Sequence, residues 1–253
     1  YDPSGLSHYI IYKNGVLSDY TLKIPYYDYS VSAGDSIEYS ISVMDRAGNE
    51  SLISSPIRTV VPNTIEKARN GEFDLGKSNW EFNIFNSQAN ATFKIDSTFI
   101  LTGKYSAKVD VTQSSGTNWH IQLAQPLNIF SNHKYIFQFK AKSSGPKNLG
   151  YMLQKATSPY TIYLSGAVNL TNTAQLTSDS VNITSNDKVK ISFTLGSSEL
   201  ETVWIDDVSI SETTSGTTDV KEDNIILPPK FDLLQNYPNP FNPSTIISWQ
   251  SPV

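Results

Sequence analysis

Between residues 70 and 212 the chain divides into about ten short runs in which apolar and polar residues alternate, and no stretch sustains a helical repeat. The runs read NWEFNIF, ATFKIDS, SAKVDVT, WHIQLAQPL, YIFQFKAK, LGYMLQK, YTIYLSG, SVNIT, KVKISFTLG and TVWIDDVSI. Gly, Asn, Ser and Pro separate them, as turn residues do. A two-residue period puts one side of each strand on a core and the other on solvent. Strands of this number and spacing predict an all-β, two-sheet sandwich of jelly-roll type.

Composition narrows the function. The formal net charge is −5 and no basic run occurs, so a nucleic-acid partner is not expected. No apolar run approaches the ~20 residues of a membrane-spanning helix. Cysteine is absent, which excludes disulfides, thiol nucleophiles and thiolate zinc sites. A cysteine-free extracellular protein often needs another staple, and a bound metal is one candidate. No signal peptide opens the chain, which starts abruptly at YDPSGL; both ends are expected to be cuts in a longer, monomeric protein.

Residues 1–62 carry further strand patterns. HYIIYKNG alternates up to Asn14-Gly15, a hairpin turn signal. SIEYSISVMD sets Ile37, Tyr39, Ile41 and Val43 on one side, DRAGNES reads as a loop, and SSPIRTVV as another strand. YIIYKNG, SAGDSIEYSISVMD and DRAGNES together resemble the later half of a bacterial fibronectin type III module. That implies a partial immunoglobulin-like sandwich without its first strands, serving as a spacer and marginal unless it packs on the next domain. A protein-binding sandwich is the alternative. Residues 63–69 read as a linker, 70–212 as the central module, and 213–230, rich in Thr, Ser and charge, as a second linker.

Residues 231–253 read FDLLQNYPNPFNPSTIISWQSPV. The prolines force NYPNPFNP into an extended, turn-like path, and Thr245 to Gln250 alternates like a short strand. The segment resembles the opening of the C-terminal sorting domain read by the type IX secretion system of Bacteroidetes, truncated here at Val253. The resemblance implies that secretion machinery as a partner, and a secreted or cell-surface location.

The last run of the central module holds a physical clue. Trp204, Asp206, Val208 and Ile210 share one parity; if that parity faces the core, Asp206 is an inward carboxylate that needs a cation or hydrogen-bond donors. Near the other end Glu72 and Asp74 share a parity opposite Phe73 and Leu75. Hard oxygens converging there would suit Ca²⁺; without metal, Asp206 would cap backbone amides. Asp207, of opposite parity, is expected to face solvent. Six pieces of the module also follow a known order: NGEFD at 70–74, Asn79-Trp80, GKYSAKV at 103–109, NWHIQLAQPL at 118–127, KYIFQFKAKS at 134–143 and VWIDDVSI at 203–210. Together they resemble the carbohydrate-binding modules of the family 4, 9 and 22 group, departing from it at Asp74, where Glu is usual, and at Gln138, where a small polar residue is usual. The resemblance implies a non-catalytic module that binds a polysaccharide or oligosaccharide and targets a secreted multidomain glycoside hydrolase, or related enzyme, to its substrate. It also implies a structural calcium held by Asp74, by the carbonyls of Glu72 and Lys104, and by Asp206.

Sugars stack their C–H faces on aromatic rings and pair their hydroxyls with amides, carboxylates and basic groups. Such modules bind glycans on the outer face of one sheet, so residues of the parity opposite the core are the candidates. Gln122 and His120 lie opposite Ile121 and Leu123; Gln138 and Lys140 lie opposite Phe137 and Phe139; Met152 and Gln154 lie opposite Tyr151 and Leu153. Trp119 has the core parity, but it stands at the start of its run, where a bulge would turn it out. It is either core or the sugar platform. Tyr160 and Tyr163 are candidates for a second platform, or half-buried strand aromatics. The ligand-binding set is therefore Trp119, Gln122, Gln138, Lys140, Gln154, Tyr160 and Tyr163. Trp80 and Trp204 read as core. Amides without acids suit a neutral glycan, and Lys140 would favour an acidic one.

No catalytic motif occurs. A glycosidase needs two positioned carboxylates, and the acids here are metal candidates or scattered. His8, His120 and His133 have no motif neighbours, and residues 70–212 contain no Arg, which disfavours a lyase cluster. The expectation is a binding module with any catalytic domain upstream. The alternative is a structural or adhesive surface module that binds no glycan.

Overall fold

Each of the ten runs forms a strand. The computed structural model describes residues 5–214, 232–233 and 249–250. Residues 1–215 form one compact unit and 216–253 a second. In the second, Asp232–Leu233 pairs antiparallel with Trp249–Gln250. NYPNPFNP lies outside the described residues.

The N-terminal patterns give β1 (Leu6–Lys13), β2 (Val16–Thr21), β3 (Ser36–Asp45) and β4 (Ile57–Val60) in one antiparallel sheet of order β2-β1-β3-β4. Asn14 and Gly15 both take positive φ, as a type I′ hairpin requires, and join β1 to β2. Ile10, Ile11 and Ile37 are buried, while Leu22, Ile24, Leu52 and Ile57 stay exposed. A short β5 (Thr64–Glu66) follows where a linker was expected, pairing with Ser211–Thr213.

The central strands are β6 (Glu81–Ile84), β7 (Asn90–Asp96), β8 (Ser106–Gln113), β9 (Ile121–Ile129), β10 (His133–Ser143), β11 (Lys147–Lys155), β12 (Ile162–Leu170), β13 (Gln175–Ile183), β14 (Asp187–Thr194) and β15 (Thr202–Thr214). They build a jelly-roll sandwich. One sheet has the order β13-β10-β15-β8-β7, with β5 added to β15; the other has the order β12-β11-β14-β9-β6. Successive strands β9, β10 and β11 therefore alternate between sheets. Inward residues of both sheets meet in the core, where Phe139 and Phe193 pack edge to face at 4.9 Å. Each such fully buried ring contributes about 2 kcal/mol of hydrophobic stabilisation.

Two local features position the ends of the module. Gly71 lies so close to β15 that a Cβ would stand 1.9 Å from the Val208 carbonyl oxygen, so the first segment and the last strand touch backbone to backbone. In β15, Asp207 takes φ 52°, and the register with β10 slips between Gln138 and Lys140. This bulge reverses the parity of the strand. Val203 and Ile205 face the core before it, Val208 and Ile210 after it. Trp204 and Asp206 thus lie on the far side of the sheet. Trp204 is buried (8% exposed), but under Phe99 and between Lys108 and Lys142 rather than in the main core.

The N-terminal sheet is docked on the sandwich. Glu212, 0% exposed, accepts hydrogen bonds from the Ser32 hydroxyl (2.6 Å), the Ala33 N–H (2.8 Å) and the Tyr135 hydroxyl (2.7 Å), and pairs with the Lys67 ammonium (3.2 Å). Lys67 in turn donates to the Val31 carbonyl at 2.8 Å.

Candidate functional site

The outer face of the β12-β11-β14-β9-β6 sheet carries an open cleft of about 470 Å³. Its floor follows from the strand period. Ile121, Leu123, Leu153 and Ile191 are buried in the core, which turns Gln122, Met152, Gln154 and Lys190 outward. Phe85 and Trp119 line it too, as do Tyr160 and Ile162.

Trp119 sits on a single 3₁₀ turn, Asn118–His120, that precedes β9. The turn is held from β14's end: the Gly196 N–H donates to the Asn118 carbonyl (2.8 Å), and the Ser114 hydroxyl donates to the Gly196 carbonyl (2.7 Å). A Cβ at Gly196 would fall 2.4 Å from the Thr117 carbonyl oxygen, so only glycine allows this approach. The turn breaks the strand parity and leaves Trp119 50% exposed, its ring 6.3 Å from Phe85 and edge-on to His120 at 4.1 Å. Tyr160, 53% exposed, holds a positive φ of 55°. Its N–H donates to the Thr157 carbonyl (2.9 Å), and its carbonyl accepts from Gln154 (3.4 Å). A bulky residue in left-handed backbone is uncommon and marks a position fixed by its surroundings.

Of the sequence-derived ligand set, the cleft gathers Trp119, Gln122, Gln154 and Tyr160. Gln138 and Lys140 are on β10, in the other sheet, and do not reach it: sequence-adjacent strands were read as one face, whereas the jelly-roll connection sends β10 across the sandwich. Gln138 bonds Ser178 there, and Lys140 pairs with Asp207 at 2.9 Å. Tyr163 falls where the β11–β12 register slips; it packs half-buried against the core, its hydroxyl donating to Asp187 at 2.8 Å. Phe85, Ile162 and Lys190 complete the cleft and were not among the sequence candidates. The KVKIS alternation carried the signal for Lys190, which shares the outward parity of Lys188 and Ser192.

The acidic end of the module is also rearranged. Asp206 is 0% exposed and accepts from the Thr102 N–H (2.9 Å), the Ser106 hydroxyl (2.8 Å) and the Asp207 N–H (2.8 Å). Burial pushes its carboxyl up, against those three donors. The Glu72 carboxyl, rather than that of Asp74, is the one drawn into the cluster. It too is raised, by burial first, then by a hydrogen bond shared with Asp207 and the charges of Asp207, Asp206 and Asp74. Glu72, Asp74 and Lys104 are all exposed. Asp207 is held low by Lys140. The crowded hard oxygens have the chemistry calcium takes. Among the described residues, no group of three or more carboxylate or histidine side chains converges in ligating positions.

The family model for CBM_4_9, a carbohydrate binding domain, matches residues 66–202. The chain belongs to this family. A solved structure described as "CBM4 structure and function" shares 24% identity at a TM-score of 0.50, over 57% of this chain and 99% of that one. A putative sugar binding protein from Bacteroides thetaiotaomicron shares 11% identity at a TM-score of 0.47, over 59% of this chain and 100% of that one. The N-terminal cellulose-binding domain of Cellulomonas fimi β-1,4-glucanase C shares 19% identity at a TM-score of 0.43, over 56% and 95%. No curated protein matches. The cleft combines exposed aromatic side chains, a type of group that stacks on sugar C–H faces, with amide and ammonium groups, which pair with hydroxyls.

Proposed function

We propose that this carbohydrate-binding domain holds a polysaccharide chain in the cleft of the β12-β11-β14-β9-β6 sheet, and that it delivers an enzyme borne on the same polypeptide to that polysaccharide. The observation that carries the reading is Trp119, turned out of its strand and half exposed beside Phe85, with Tyr160 also lining the same cleft. An open cleft lined by separate aromatic platforms suits an extended chain. The fibronectin-like N-terminal sheet and the NYPNPFNP segment support placement in a secreted, multidomain hydrolase exported by a type IX system. Affinity electrophoresis across neutral and charged polysaccharides tests the binding: retardation by at least one glycan is expected, and migration unchanged by every glycan would overturn it.

The resemblance to the family 4, 9 and 22 group implies a structural calcium ion held by Asp74, the carbonyls of Glu72 and Lys104, and Asp206, and the full burial of the Asp206 carboxyl, with the Glu72 and Asp207 charges close to it, favours a cation there. A ligand bound only by the folded state stabilises it by mass action. Adding chelator should lower the thermal unfolding midpoint, and adding Ca²⁺ should restore it; identical midpoints in both conditions would sink the metal.

A further inference from the structure

We infer that the ligand of this cleft is an anionic glycan, its carboxylate or sulfate oxygens received by Lys190; the inference rests on the cleft being the glycan site. Lys190 is the single charged residue among those lining the cleft. It makes no ion pair among the described residues, in contrast to Lys140, Lys155 and Lys67. Its Nζ donates to the Gln122 Oε1 at 3.3 Å and lies 5.9 Å from the centre of the Phe85 ring.

Both glutamines of the cleft are hydrogen-bonded to the chain itself. Gln122 spends its amide N–H on the Trp119 carbonyl (3.0 Å) and its oxygen on Lys190. Gln154 donates to the Tyr160 carbonyl (3.4 Å). These bonds occupy one N–H of each glutamine, whereas an ammonium has three N–H groups and Gln122 takes one of them. The nearest acid by register, Glu81, stands opposite Ala124 and is not among the lining residues. An ammonium without an ion pair among the described residues, in a cleft lined by aromatic rings and by no carboxylate, matches a sugar ring bearing an oxyanion better than one bearing hydroxyls alone.

The test uses matched polymers and the full chain. Polyuronates (polygalacturonate, alginate) are compared with their carboxyl-reduced forms, and a sulfated galactan with its desulfated form, by isothermal titration at low and at high salt. In at least one pair the charged polymer should bind about tenfold tighter. That preference should shrink at high salt, disappear in Lys190→Met and survive in Lys190→Arg. The pair that shows it tells carboxylate from sulfate. Equal or tighter binding of the neutral partner in every pair, or a preference that survives in Lys190→Met, would overturn the anionic ligand while leaving glycan binding in place. Binding to no charged polymer while a neutral glycan binds would have the same meaning. Binding to nothing at all would overturn both readings.

Discussion

Trp119→Ala should weaken polysaccharide binding by about thirtyfold, on the order of 2 kcal/mol, as truncation of an aromatic anchor does at other interfaces. The ring is 50% exposed and contributes little to the core. Its removal should therefore leave stability within about 0.5 kcal/mol of the parent, as for other surface substitutions. The backbone of the Asn118–His120 turn is fixed by Gly196 and Ser114, not by the indole, so the platform is lost without the turn. Titration of the best glycan against both proteins measures the ratio, and a thermal melt checks the fold. A loss of less than threefold with an unchanged melt would move the binding surface elsewhere. Gly196→Ala is a different experiment: it forces the Thr117–Ile121 segment to shift, and binding and stability should fall together.

How far the sequence led can be read from particular residues. Alternation placed Gln122, Met152 and Gln154 on the outer side correctly, because their strands run without a bulge at those positions and Ile121, Leu123 and Leu153 anchor the opposite parity. It failed at Trp204 and Asp206, where the Asp207 bulge changes the phase midway through β15. It failed at Tyr163 for the same kind of reason. Gln138 and Lys140 have the outward parity assigned to them, but outward on the other sheet; which sheet a strand joins is settled by pairing with strands far along the chain, and parity carries no such information. The strand period cannot choose between core and platform for Trp119, because its direction depends on a glycine in the β14–β15 connection. The N-terminal sheet was expected to be marginal without a partner. The partner is there, and its contact turns on a residue that the sequence reading passed over: Glu212 shares the parity of Val208 and Ile210, so the argument made for an inward Asp206 applied to it with more force.

Glu212→Ala should destabilise residues 1–215 by about 3–5 kcal/mol, because it removes one side of a buried charged network and strands the other. The Lys67 ammonium, whose side chain is 6% exposed, would lose its carboxylate; the Ser32 hydroxyl, the Ala33 N–H and the Tyr135 hydroxyl would lose their acceptor. For a chain of this size such a loss lowers the unfolding midpoint by about 10 °C. Chemical denaturation gives the free energy directly, and a change below about 1 kcal/mol would show that the contact is incidental. The pH dependence supplies an independent sign. Burial alone would raise the Glu212 carboxyl, but the donors Ser32, Ala33 and Tyr135 and the charge of Lys67 outweigh it and hold the group below its ordinary value. A carboxyl depressed on folding stabilises fully above its unfolded pKa and loses that contribution as pH falls through the folded value. The parent should therefore lose stability from about pH 4.5 downward, and Glu212→Gln, which cannot titrate, should lose less over the same range. Because Ser32 and Ala33 belong to the β2–β3 loop and Glu212 to β15, the substitution should also free the N-terminal sheet, seen as faster proteolysis of residues 1–62 while the sandwich persists. A sheet that stayed protected in Glu212→Ala would mean that β5 and the remaining contacts suffice to dock it.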